Sequence, residues 1–169
     1  GVVPLWSTRL MAGDPIIAEA QYGLANPLNW PLFLSHPVPA WLVSIRGVLP
    51  LWLAGAGLYL YPRRSPVWRL DRAPAVTGAI VYMASDPFVA HLGHPQFNDT
   101  LAWLPWALWG IDAALRRKNR IPGAALALAL LWLAGHAQAA LYATCLVIVT
   151  TAWQVLEGKG RRTVVRRLG

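Results

Sequence analysis

From about residue 38 onward, apolar runs alternate with short polar breaks, and the breaks are of two kinds. One kind is rich in arginine and lysine: Arg63, Arg64, Arg69 and Arg72, then Arg116, Arg117, Lys118 and Arg120, then Lys159, Arg161, Arg162, Arg166 and Arg167. The other kind carries histidine and isolated carboxylates: His91, His94 and Asp99, and later His136. Runs of about 20 apolar residues cross a bilayer, and arginine-rich loops stay on its cytoplasmic side. The alternation predicts an all-α polytopic bundle of about five transmembrane spans, near residues 38–61, 73–92, 98–115, 121–134 and 138–156. Residues 1–37 precede it as an extracytoplasmic or interfacial loop with short helices, and 158–169 follow as a basic cytoplasmic tail.

Individual residues refine this reading. Pro4, Pro15, Pro27, Pro31 and Pro37 with Gly13, Gly23, Asn26 and Asn29 break any period in the first segment, and Trp6, Tyr22, Trp30 and Phe33 suit the membrane interface. Arg46 interrupts the first span about two turns in and is expected to snorkel outward, a buried functional charge being the alternative. Pro50 is expected to kink that helix, while Gly47, Gly55 and Gly57 permit close packing. Asp86 followed by Pro87 predicts a helix break, and Asn98 or Asp99 is the expected N-cap of the third span. The apolar stretch 121–156 exceeds one span. An interruption at Gly135, His136, Ala137 and Gln138 favours two short spans over one long tilted helix, which would strand the basic tail outside.

Composition narrows the functional classes. The 169 residues are 56% hydrophobic and 13% charged, with a mean hydropathy of +0.42, too apolar for an ordinary soluble domain. The net charge of +8 resides in the three basic clusters, which hold every Lys and Arg except Arg9 and Arg46. No exposed aromatics interleave them as a nucleic-acid groove requires, so anionic lipid headgroups are the expected partner, not nucleic acid. Asp71, Asp112 and Glu157 sit beside these cations and read as charge balance on a solvated face. The single cysteine, Cys145, reads as apolar packing. The chain opens on Gly1 without a signal or spanning segment, so we expect a piece of a longer protein whose first span lies upstream and which is inactive alone.

The groups able to do chemistry gather at the opposite end: Asp14, Glu19, His36, His91, His94, Asp99 and His136, with Gln21, Gln96, Asn98 and Gln138. A poorly solvated carboxylate there could serve as acid or base. Gly93, His94, Pro95, Gln96 and Gly135, His136, Ala137, Gln138 repeat a Gly-His-x-Gln pattern at equivalent depth. Helix capping and a functional role weigh about evenly for it. Only His91 and His94 have a helical metal spacing, and no metal site is assigned to them.

These blocks also carry a resemblance. Pro4-Leu5-Trp6, Ala12 through Gln21, and Asn26-Pro27-Leu28-Asn29-Trp30 are similar to the first large outer loop of the YfhO family of bacterial membrane proteins. So are His91 through Gln96, Leu101 through Pro105, and Ala134 through Gln138 with Tyr142. The resemblance implies a GT-C-type glycosyltransferase of the bacterial cytoplasmic membrane, moving a sugar from a polyprenyl-phosphate donor to an extracytoplasmic acceptor with inversion. It further implies a first-loop carboxylate that acts as base or holds a divalent cation. The resemblance leaves open that the principal such carboxylate lies upstream of Gly1; within this chain Glu19 is the leading candidate and Asp14 the second. Arg9, Gln21, Arg46, His94, Gln96, Asp99, His136 and Gln138 are the candidate substrate-binding residues. Two other classes stay open: a non-enzymatic scaffold whose histidines ligate haem or a chlorin, and a transporter-like assembly subunit with Asp86 and Arg46 near the midplane.

Overall fold

The computed structural model describes residues 6–8, 13–16, 19–65 and 67–156. Arg9 and the basic tail lie outside them. Among the described residues the chain is helical, with a single isolated antiparallel bridge between Ser7 and Asp14. Two 3-10 turns, Ala20–Tyr22 and Pro27–Asn29, lead into α1 (Trp30–Leu34). The bundle then comprises α2 (Ala40–Arg64), α3 (Arg72–Met83), α4 (Asp86–Ala90), α5 (Pro95–Arg116), α6 (Ile121–Leu133) and α7 (Ala137–Leu156). The central element is α5, which packs against α2, α6 and α7.

Glycines set how closely these helices approach. A Cβ on Gly57 would meet Trp106 at 2.6 Å, and one on Gly110 would meet the Ala124 backbone at 2.9 Å. Small residues at such crossings let helices gain dispersion contacts without a hydrophobic driving force. Alanines continue the scheme: Ala54, Ala102, Ala107 and Ala140 are fully buried. Backbone cannot yield as a flexible side chain can. Gly110→Val is therefore expected to cost about 1–3 kcal/mol, read as a lower unfolding temperature in detergent than for the control Gly78→Ala, where a Cβ meets nothing within 4 Å.

Among the described residues two helices, α2 and α7, are long and apolar enough to cross a membrane. A soluble core helix of that composition would be mostly buried, yet only 28% of the apolar window of each is covered. Trp41, Trp52, Ile148 and Val149 are each more than 60% exposed, as side chains bathed in lipid would be. Of the five expected spans, only the two that correspond to α2 and α7 meet that length and apolarity among the described residues. The second is divided, because Ser85 and Pro87 stop α3 and start α4. The fourth is the 13-residue α6, about 20 Å long at 1.5 Å per residue. The third is the 22-residue α5, long enough but carrying Asn98, Asp99 and Asp112.

Further expectations resolve in the same way. The stretch 121–156 is two helices, with Gly135 at φ +98 between them, and not one long helix. Helix α2 runs on through Pro50. The start of α5 is Pro95, not Asn98 or Asp99, because proline at N1 is pre-organised for a first turn; both polar residues lie inside the helix. Arg46 does not snorkel: it is 6% exposed, held by partners. Asp112 is buried, not solvated, and pairs with Arg116 at 2.7 Å. Cys145 is exposed on α7 and does not pack inward.

The antiparallel order gives the bundle two chemically distinct ends. At one, the α6–α7 turn and the N-terminus of α5 meet the N-terminal segment: Ala20 lies against Gly135, and Gln96 Nε2 donates to Gln21 O at 2.5 Å. At the other, Arg64 sits over the Trp109 ring, and Trp68 stacks on Trp153 at 6.1 Å. The first end is polar and carries the histidines. The second is basic.

Candidate functional site

At the polar end the N-terminal segment is pinned by one buried network. Arg46 Nη1 donates to Asp99 Oδ1 at 3.0 Å, and Nη2 pairs with Asp99 Oδ2. Asn26 Nδ2 donates to Asp99 Oδ2 at 2.5 Å, and Arg46 Nε donates to Asn29 Oδ1 at 2.7 Å. The turn Pro27–Asn29 supplies both asparagines because Asn26 caps it, accepting from the Leu28 amide at 3.1 Å, with Pro27 just inside. Asn29 Nδ2 closes the circuit on Gly23 O at 3.0 Å. A charge this deep is tolerable only when neutralised and hydrogen-bonded, and both conditions are met.

The clamp fixes the residues just before it. Asp14 exchanges backbone hydrogen bonds with Ser7 and accepts from Tyr22 Oη at 2.6 Å. By accepting this hydrogen bond the carboxylate raises the Tyr22 pKa, and burial and then the negative charges of Asp14 and Glu19 raise it further. A raised tyrosine pKa means the contact contributes fully below the unfolded-state value and is lost as pH rises through the folded one. Difference titration of wild type against Tyr22→Phe is expected to show one phenol ionising at higher pH than free tyrosine.

Glu19 is exposed and directly precedes the turn Ala20–Tyr22. That turn touches both Gly-His-x-Gln segments, through Gly135 and Gln96. The two motifs begin α5 and α7 at the same end of the bundle. His94 occupies the N-cap position of α5 without a side-chain bond, whereas His136 Nδ1 accepts from the Ala139 amide at 3.2 Å. An Nδ1 that accepts leaves the proton of the neutral ring on Nε2, a donor available to a ligand. His91 has the opposite polarity, Nδ1 facing Pro87 O at 2.9 Å, so its Nε2 is the acceptor of the neutral ring. Phe97 stacks on His91 at 4.1 Å and meets His136 edge-on at 5.2 Å. Gln138 Nε2 donates to Tyr142 Oη at 3.0 Å.

The sequence candidates therefore separate into two groups. Arg46 and Asp99 bond to each other in the buried clamp, while Glu19, Gln21, His94, Gln96, His136 and Gln138 gather around the exposed rim of the polar end. Asn26 and Asn29, first read only as turn formers, are members of the clamp. An arginine in one apolar run and an aspartate near the start of another were the available signal, since each is costly unless paired. Among the described residues no three His, Cys, Asp or Glu side chains group as metal ligands would. No protein-family model, curated protein or solved structure matches the chain.

Proposed function

We propose that this chain is part of a GT-C-like glycosyltransferase of a bacterial cytoplasmic membrane. In this reading α2, α3 with α4, α5, α6 and α7 form five passes, the polar end facing outward and the basic end the cytoplasm. The observation that supports it is the Ala20–Tyr22 turn, which touches both Gly-His-x-Gln segments and is directly preceded by Glu19. Glu19 accepts the proton of the acceptor hydroxyl as that oxygen attacks the anomeric carbon. The bond to the polyprenyl phosphate breaks on the opposite face, giving inversion. His136 Nε2–H, His94 and the Gln96 and Gln138 amides are the donors for the departing phosphate oxygen, aided by the positive ends of α5 and α7. Arg46, engaged by Asp99 and Asn29, holds the loop in place. Asp14 accepts from Tyr22, in the turn that follows Glu19.

A haem or chlorin scaffold needs histidines on facing helices. The histidines here lie at helix ends and in a loop, which favours the transferase. Consumption of a polyprenyl-phosphate sugar by the full-length protein tests the proposal. A wild-type protein that never consumes donor contradicts it.

A further inference from the structure

A cavity of about 550 Å³ opens at the basic end, between α5, α6 and the C-terminus of α2. Its lining includes Arg64, Arg116, Arg117 and Arg120 at the basic end of the bundle and Trp103, Trp106 and Leu130 further along α5 and α6. The close approach of Gly110 to Ala124 lies along it. From Arg120 to Leu130 the α6 wall spans about 15 Å at 1.5 Å per residue, the hydrocarbon depth of one leaflet, roughly half of 30 Å. One carboxylate, Asp112, lines the cavity and is neutralised by Arg116. The other three guanidinium groups leave a net positive rim.

A second observation points to a ligand. Among the described residues three buried side-chain polar atoms have no hydrogen-bond partner, and two of them, Trp103 Nε1 and Arg116 Nε, belong to residues lining this cavity. Both are donors, and an unpaired buried donor is costly unless an acceptor arrives. An anion at the rim with an apolar tail running inward matches the cationic mouth and the tryptophan-lined wall, and its phosphate supplies an acceptor at Arg116, though not at Trp103.

We infer that the cavity between α5 and α6 binds an anionic glycerophospholipid, its phosphate held by Arg116, Arg117 and Arg120 and one acyl chain lying along Trp103 and Leu130. This rests on the membrane placement in the proposed function but not on its chemistry, so donor turnover and lipid retention are scored separately. The test is native mass spectrometry of the delipidated full-length protein with phosphatidylglycerol or phosphatidylcholine of identical chains. Phosphatidylglycerol is expected to bind on the order of tenfold more tightly, and millimolar inorganic phosphate is expected not to displace it. Arg117→Gln combined with Arg120→Gln should remove that preference, since both side chains are exposed at the rim. Gly123→Leu, where a Cβ meets nothing within 4 Å, should narrow the cavity and lower retention while the unfolding temperature holds. Equal binding of the two lipids, displacement by free phosphate, or undiminished retention in whichever of these variants folds would each overturn the inference.

Discussion

Asp99→Ala is expected to destabilise the bundle by about 3–5 kcal/mol, because it leaves the Arg46 guanidinium buried and unneutralised. Asp99 is fully buried and accepts from both Arg46 and Asn26, so truncation removes the shared acceptor of the clamp. The loss should be local before it is global. Limited proteolysis in detergent is expected to cut the segment before α2 in the variant under conditions that leave wild type intact. Pairing the change with Arg46→Met removes the stranded charge and should recover much of the stability, as replacing a buried ion pair by apolar side chains often does. The recovered double variant would still lack the bonds to Asn26 and Asn29, so its loop should remain protease-sensitive. If Asp99→Ala unfolds at the wild-type temperature and resists cleavage equally, the clamp does not hold the loop.

Glu19→Gln in the full-length protein is expected to lower kcat by roughly 10²–10⁴-fold, the range for loss of a general base. The amide has the same shape but cannot take a proton, so KM for the donor and the unfolding temperature should change little. Asp14→Asn should cost less activity, since Asp14 is already engaged by Tyr22, in the turn that follows Glu19. Steady-state kinetics with a polyprenyl-phosphate sugar separate the two, because a positioning defect raises KM along with lowering kcat. A Glu19→Gln enzyme with wild-type kcat would move the base elsewhere.

The two-ended layout was legible in the sequence because charge segregation is written locally, in clusters such as Arg116 to Arg120. The α6–α7 turn was legible for the same reason, Gly135 and His136 interrupting an otherwise unbroken apolar run. Lengths were less accessible. Hydropathy treats 73–92 as one run, while Ser85 and Pro87 end one helix and start the next. The clamp was hidden because Arg46 and Asp99 are 53 residues apart, and no periodicity within either helix records which partner the other supplies. Asn98 drew attention as a cap since its side chain suits that role, but Pro95 three residues earlier sets the helix start. Its amide instead donates to Phe88 O at 3.1 Å inside the fold. The arginine-rimmed cavity needed three-dimensional information, because its walls come from the C-terminus of α2 as well as from α5 and α6.

The orientation of the two ends underlies both proposals, and labelling of intact cells measures it. In a Cys145→Ser background, a membrane-impermeant maleimide is expected to modify a cysteine placed at exposed Gln138 directly, and one placed at exposed Asn119 only after the membrane is opened. Labelling of the Asn119 position in sealed cells, with the Gln138 position protected, would contradict the account.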